Sequence, residues 1–136
     1  MSPELRTRPR FLVADDTPVI AGRVARTLED AGVDVIGPAC NGAQALQLWM
    51  QTHPDAAVLD FEMPEMTGLQ VLRAIRAHER QCDPHSHCMV VILSSHAEPS
   101  IIDRCLAEGA DLYLNKNAAF EQLRDLAARA GRAMTS

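Results

Sequence analysis

Three aspartates, a serine and a lysine stand where apolar runs end. Asp15 and Asp16 close "FLVADD", Asp60 closes "AAVLD", Ser94 closes "VVILS", and Lys116 follows "LYLN". Carboxylates brought within a few ångströms repel one another and raise each other's pKa. A hard divalent cation relieves that repulsion, and Mg²⁺ suits such a site because it takes oxygen ligands and keeps several waters. A lysine ammonium supplies a second positive charge and a serine hydroxyl a donor. Two cationic centres and a hydroxyl around one carboxylate make a place to hold a phosphoryl group. Whether these five residues meet depends on the elements that carry them.

Those elements alternate. The apolar run "RFLVA" reads as a strand, and "TPVIAGRVARTLEDAG" as a helix with Ile20, Val24 and Leu28 on one face. Thr17 is a candidate N-cap with Pro18 at the first helical position, and Gly32 is a stop. A β-branched strand, "VDVIGPAC", precedes a helix that places Ala45, Leu46, Trp49 and Met50 on one face. "DAAVLD" and "CMVVILSS" are strands flanking a helix with Leu69, Leu72 and Ile75 inward. A short helix ending at Gly109, the strand "DLYLNK" and a closing helix ending at Gly131 complete the pattern. Strands alternating with helices imply a parallel sheet covered on both faces. Right-handed crossovers then leave few arrangements. The commonest is the doubly wound (βα)₅ sheet of order 2-1-3-4-5, which binds ligands beyond the carboxyl ends of strands 1 and 3. Asp15, Asp16 and Asp60 stand at those ends, and adjacent strands lie about 4.8 Å apart. Ser94 and Lys116 fall on the same rim.

The composition narrows the function classes. The 136 residues fit one domain, and apolar residues make up 47%, enough for a core. Thirteen Lys and Arg against eighteen Asp and Glu give a net charge of −5, which argues against a nucleic-acid-binding surface. No run approaches the roughly 18 apolar residues of a membrane span, and the basic N-terminus lacks the apolar stretch of a signal peptide. Four cysteines at irregular spacing need no disulfide framework, so a reducing cytoplasm is the expected setting.

Taken together, "FLVADD", "LDFEMPEMTG", "VVILSS" and "GADLYLNK" resemble the receiver domain of two-component response regulators, with its flavodoxin-like fold. The likeness implies a receiver over residues 10–131, a flexible N-terminal tail over 1–9 and a short C-terminal tail over 132–136. It implies that Asp60 accepts a phosphoryl group from a histidine kinase or a histidine phosphotransfer protein. Asp16 would bind Mg²⁺ directly, Asp15 through water, and Glu62 through its backbone carbonyl. Ser94 would be the switch hydroxyl, Tyr113 the aromatic that turns inward, and Lys116 the phosphoryl-binding cation. The surface of helix 4, strand 5 and helix 5 would carry the output to a protein partner. The protein would act as a monomer or a phosphorylation-dependent dimer, with no chemistry beyond its own phosphorylation and autodephosphorylation.

The departures from that pattern carry expectations of their own. Asn117 follows Lys116 where the family usually has proline. The usual bond there is often cis, and a cis bond before a residue other than proline costs about 3–4 kcal/mol. A trans Lys116–Asn117 bond and a different loop are therefore expected. Glu62 and His96 flank the site from the strand 3 and strand 4 loops, and as a pair they would narrow the path of the water that attacks the acyl phosphate; the alternative is that Glu62 repels the phosphoryl group and leaves that path open. The stretch "HERQCDPHSHC" offers His78, Cys82, His85, His87 and Cys88 as Zn²⁺ ligands, but its spacing matches no standard module and reads first as a solvated loop. No helix-turn-helix pattern follows residue 131, which favours a stand-alone receiver. The alternatives are a receiver cut from a longer DNA-binding regulator and a receiver-like scaffold that needs no phosphate. An Asp-nucleophile enzyme of the haloacid dehalogenase type is disfavoured, because that nucleophile ends the first strand rather than the third.

Overall fold

The computed structural model describes residues 8–96 and 98–135. The N-terminal tail expected over residues 1–9 therefore lies mostly outside the described residues. The strands are β1 (Arg10–Ala14), β2 (Asp34–Ala39), β3 (Ala56–Asp60), β4 (Met89–Ser94) and β5 (Leu112–Asn115). They alternate with α1 (Pro18–Asp30), α2 (Gly42–Thr52), α3 (Gly68–Cys82), α4 (Pro99–Ala107) and α5 (Phe120–Thr135). The sheet is parallel with the order β2-β1-β3-β4-β5, as the alternation predicts. Among the described residues, no helix is long and apolar enough to cross a membrane.

Residue alternation in the strands divides the core in two. Leu12, Ala57, Leu59, Val90 and Ile92 point toward a cluster with Trp49, Leu72 and Ile75. Phe11, Val13, Val58, Val91 and Leu93 point the other way, onto Val24, Leu28 and Leu123. All five residues of β3 are buried, which is why its sequence shows an unbroken apolar run. Each aliphatic side chain so buried contributes roughly 1.5–3 kcal/mol, and the central strand holds the rim residue Asp60 on the most tightly packed part of the sheet.

Helix boundaries follow local chemistry. Thr17 occupies the N-cap position of α1 with extended backbone but makes no side-chain capping bond, and Pro18 opens the helix. Thr67 and Gln70 form a reciprocal capping box at the start of α3, satisfying two of the four free amide donors there. Two expectations shift. Met50 is exposed, because the buried stripe of α2 runs through Gly42, Ala45 and Trp49 and the next turn has already rotated past the sheet. Gly131, read as a stop, lies inside α5, which continues to Thr135. Glycine weakens a helix interior by about 1 kcal/mol without forbidding it, and nothing stands within 4 Å of the place its Cβ would occupy.

The lower pole of the sheet, at the amino ends of the strands, is pinned by Arg76. Its guanidinium donates to Glu79 Oε1 (2.7 Å), the Cys88 carbonyl (2.8 Å), the Gly109 carbonyl (2.9 and 3.0 Å) and Asp111 Oδ2 (2.9 Å). Glu79 and Asp111 in turn accept the amides of Cys88 and Val90. One buried cation so joins α3 to the starts of β4 and β5.

Gly68 fixes the opposite pole. A Cβ there would stand 2.5 Å from the Asp60 carbonyl and 3.1 Å from Phe61 Cα. Only glycine lets α3 begin hard against the end of β3. Gly68→Ala is expected to lower stability by roughly 1–3 kcal/mol, the usual cost of overpacking. Urea unfolding followed by circular dichroism measures it; an unchanged midpoint would show that the helix start slides away freely.

Candidate functional site

Strand register brings the rim residues together. Ala14 pairs with Leu59, so Asp15 and Asp60, each one position further on, emerge side by side. Ser94 pairs with Asn115, so Lys116 rises just beyond the serine, its amide bonded to the Ser94 carbonyl at 3.0 Å. Lys116 Nζ lies 3.0 Å from Asp15 Oδ2 and 3.0 Å from Asp60 Oδ2. The other oxygen of each carboxylate accepts an amide from its own loop: Asp15 Oδ1 from Thr17 (2.8 Å) and Asp60 Oδ1 from Glu62 (3.2 Å). Both side chains are thereby held in one orientation. Asp15, Asp60 and Ser94 are buried, while Asp16 is exposed at the mouth.

Burial dominates the electrostatics. It pushes the Asp60 carboxyl up to about 7, the Asp15 charge adds to the rise, and Lys116 opposes it. Burial also works against the Lys116 ammonium, but its contacts with Asp15 and Asp60 outweigh that and raise its pKa. One ammonium does not fully satisfy two buried carboxylates. Asp15 Oδ2 is in ion-pair reach of Lys116 yet aligned with no hydrogen-bond donor. A carboxylate oxygen from each of Asp15, Asp16 and Asp60 falls within 4.8 Å of the others. Three carboxylates so placed, with one buried oxygen lacking an aligned donor, fit a small hard cation that keeps several waters.

The second tier of the site turns on His96. Its Nε2 is 2.6 Å from Glu62 Oε1, and both side chains are about half exposed (45% and 57%). Its amide donates to Ser94 Oγ at 3.0 Å, and its carbonyl accepts the Tyr113 hydroxyl at 3.0 Å. The expected pairing of Glu62 with His96 is therefore present, and Ser94 and Tyr113 both contact the same loop residue. The serine and tyrosine are legible in the sequence as separate residues; their shared contact with the His96 backbone is not, because main-chain bonds leave no residue-type signal.

The Lys116–Asn117 bond is trans; Gly37–Pro38 is the one cis bond among the described residues. The Asn117 amide donates to Asn115 Oδ1 at 2.8 Å, a bond that proline could not make. The His/Cys stretch does not assemble. Cys88 is buried, its thiol pushed up to about 12 by burial, whereas His87 reaches out to Asp111 at 2.9 Å. His78 instead packs against Trp49. Among the described residues, the trio Asp15, Asp16 and Asp60 is the one group that brings three possible ligand atoms within 4.8 Å.

A doubly wound parallel sheet with an acidic crevice at its switch point, faced by a lysine from the last strand, is the architecture of a receiver. The sequence profile of the response regulator receiver domain matches residues 11–128. The chain belongs to that family, the receivers of two-component signal transduction. It is 39% identical over 110 residues, 80% of its length, to a Mycobacterium tuberculosis protein described as a probable transcriptional regulatory protein, NarL, of which it covers 48%. It is 37% identical over 119 residues, 86% of its length, to the transcriptional regulatory protein PrrA of the same organism, of which it covers 47%. The chain thus spans about half the length of these curated relatives. The solved receiver domain of Mycobacterium tuberculosis NarL superposes with a TM-score of 0.81 at 33% identity, covering 92% of this chain and 97% of that one. Receiver domains bind Mg²⁺ at an acidic pocket, and this chain has a cluster of Asp15, Asp16 and Asp60 at its switch point.

The raised Asp60 carboxyl has a stability consequence. Between an unfolded value near 3.8 and a folded value of about 7, the folded state holds the proton longer. Its contribution is fully present below the lower value and is lost as pH rises through the upper one. Asp60→Asn is therefore expected to be more stable than wild type at pH 8 without divalent cations, by about 1–3 kcal/mol. The gap should shrink toward pH 4 and on adding Mg²⁺ to the wild type. Denaturant melts at the two pH values measure it; a variant less stable than wild type at pH 8 would contradict the electrostatic reading.

Proposed function

We propose that this receiver accepts a phosphoryl group on Asp60 from a histidine kinase or phosphotransfer protein and uses it to reshape the α4-β5-α5 surface for a protein partner. The observation that carries this reading is the Lys116 ammonium set 3.0 Å from both buried carboxylates. In the transfer, Asp60 Oδ2 attacks the phosphorus in line, the bond from phosphorus to the donor imidazole breaks, and the imidazole leaves. Asp15, Asp16, Asp60 and the Glu62 carbonyl are the residues that would hold Mg²⁺, which supplies charge neutralisation for the phosphoryl oxygens. Lys116 exchanges its contact with Asp60 for one with a phosphoryl oxygen, and Ser94 Oγ donates to another.

The loop geometry supplies a route from the site to the surface. Ser94 Oγ accepts the His96 amide, and the His96 carbonyl holds the Tyr113 hydroxyl. Drawing Ser94 toward the phosphoryl group breaks the first bond and shifts the loop that restrains Tyr113. The ring can then turn toward the space the serine leaves, changing the face formed by α4, β5 and α5. The proposed signalling is confined to the cytoplasm, and the chain's own chemistry to phosphorylation from donors and autodephosphorylation.

A second reading places this receiver ahead of a DNA-binding output domain. It rests on one observation: the relatives described as transcriptional regulators are about twice as long as the matched region.

Incubation with Mg²⁺ and a small phosphodonor, followed by intact-protein mass spectrometry, tests the acceptor assignment. Wild type is expected to gain one phosphoryl mass and Asp60→Asn none. An equal gain in a folded Asp60→Asn protein would move the acceptor elsewhere. The Glu62–His96 pair is proposed as a gate on the water that hydrolyses the acyl phosphate. Exposed pairs contribute about 0–1 kcal/mol, so Glu62→Gln and His96→Ala should each speed dephosphorylation by at most roughly fivefold, given about 1.4 kcal/mol per factor of ten. Decay of the phosphorylated protein measures this, and slower or unchanged decay in both variants would remove the gate.

A further inference from the structure

Two histidines far apart in sequence meet at the lower pole of the domain. His53 ends α2 and His78 lies near the end of α3. Their ring centroids are 6.2 Å apart, and each ring packs edge-on against the Trp49 indole, at 5.6 and 5.4 Å. We propose that His53 and His78 form a binding site for a borderline-soft divalent transition ion of the Zn²⁺, Ni²⁺ and Cu²⁺ class, bridging α2 and α3 and separate from the acidic crevice.

Both ligands are held before any ion arrives. His53 adopts the left-handed conformation (φ 47°, ψ 64°), which a residue bearing a side chain populates sparsely. It is fixed there from both sides: its amide donates to the Trp49 carbonyl at 2.9 Å, and its carbonyl accepts Arg10 Nη2 at 3.2 Å. His78 sits in a continuous helix one turn before its end, so its backbone is equally fixed. Trp49 then limits the swing of both rings.

The dimensions suit chelation after a small closure. A ring nitrogen binds Zn²⁺ at about 2.0–2.1 Å. Two imidazoles on a tetrahedral ion would so have centroids roughly 5 Å apart, about 1 Å closer than they stand. Rotation about the side-chain bonds of His53, which is exposed, covers that difference. The setting favours a cation as well, since the carboxyl-terminal ends of two helices converge there with their partial negative charge. Imidazole selects the later first-row divalent ions over Mg²⁺, which prefers oxygen. Water fills the remaining positions.

Trp49 is the only tryptophan of the chain and touches both rings, so its fluorescence reports the site. The experiment titrates the protein with Ni²⁺ or Cu²⁺ in buffer saturated with Mg²⁺, which occupies the acidic crevice. Saturable quenching with one ion per chain is expected. His53→Gln and His78→Gln should each raise the apparent Kd at least tenfold, while the double variant His85→Gln/His87→Gln leaves it unchanged. Zn²⁺ should raise the Tm of wild type in the same buffer and not that of the His53 or His78 variants, with circular dichroism at each start point confirming that they are folded. Quenching that persists unchanged in both single variants, or that is lost in the His85/His87 variant, overturns the assignment. So does a wild type whose Trp49 emission and Tm ignore all three ions.

Discussion

The structure depends on keeping two buried like charges side by side. Asp15 and Asp60 leave adjacent strands, and one ammonium, that of Lys116, stands 3.0 Å from both. Without a cation between them, one carboxylate would have to take a proton, and Asp60 is already pushed up to about 7. A further cation in the crevice would relieve the same repulsion. The surrounding backbone keeps the two carboxylates in place. Loop amides of Thr17 and Glu62 fix the carboxylates, and Gly68 lets α3 begin directly against the Asp60 carbonyl.

The two poles of the sheet are built differently. At the lower pole the Arg76 guanidinium binds α3, the start of β4 and the residues leading into β5 through bonds of 2.7–3.0 Å. Removing one partner from such a buried network leaves an uncompensated charge and costs several kcal/mol. At the upper pole, beyond the Lys116 ion pairs and the loop amides on Asp15 and Asp60, the loop after β4 is held by lighter links: the His96 amide to the Ser94 hydroxyl, the Tyr113 hydroxyl to the His96 carbonyl, and the half-exposed Glu62–His96 pair. Exposed pairs of this kind contribute little. Apart from the Lys116 contacts, the rim loops beside α4 and β5 are thus held more lightly than the base of the sheet.

Relatives of about twice the length match this chain over 110 to 119 residues. Physically this is reasonable. The packed sheet and the acid crevice are completed within residues 10–131, so the domain does not need the additional length of those relatives to form its site.

Much of this was legible in the chain. Short apolar runs and period-3.6 patterning, with glycines at 32 and 109, defined the alternation of strands and helices. Right-handed crossovers left few strand orders, of which the observed one is the commonest, and strand ends placed Asp15, Asp16, Asp60, Ser94 and Lys116 on one rim. Local covalent preference also settled the trans bond before Asn117. Other features needed the folded chain. Arg76 and Glu79 lie on the same helical stripe as Leu69 and Leu72, but spacing alone does not reveal that carbonyls and an aspartate from two other segments wait for them. The zinc-like stretch shows the converse: its five ligand-type residues, close in sequence, bring no three ligand atoms together, while His78 finds His53, twenty-five positions earlier, across Trp49. Sequence determines what is periodic and local, because backbone geometry converts spacing directly into a face or an end. Which side chains meet across elements is decided by packing, because the rotation and tilt of each helix on the sheet answer to every contact at once.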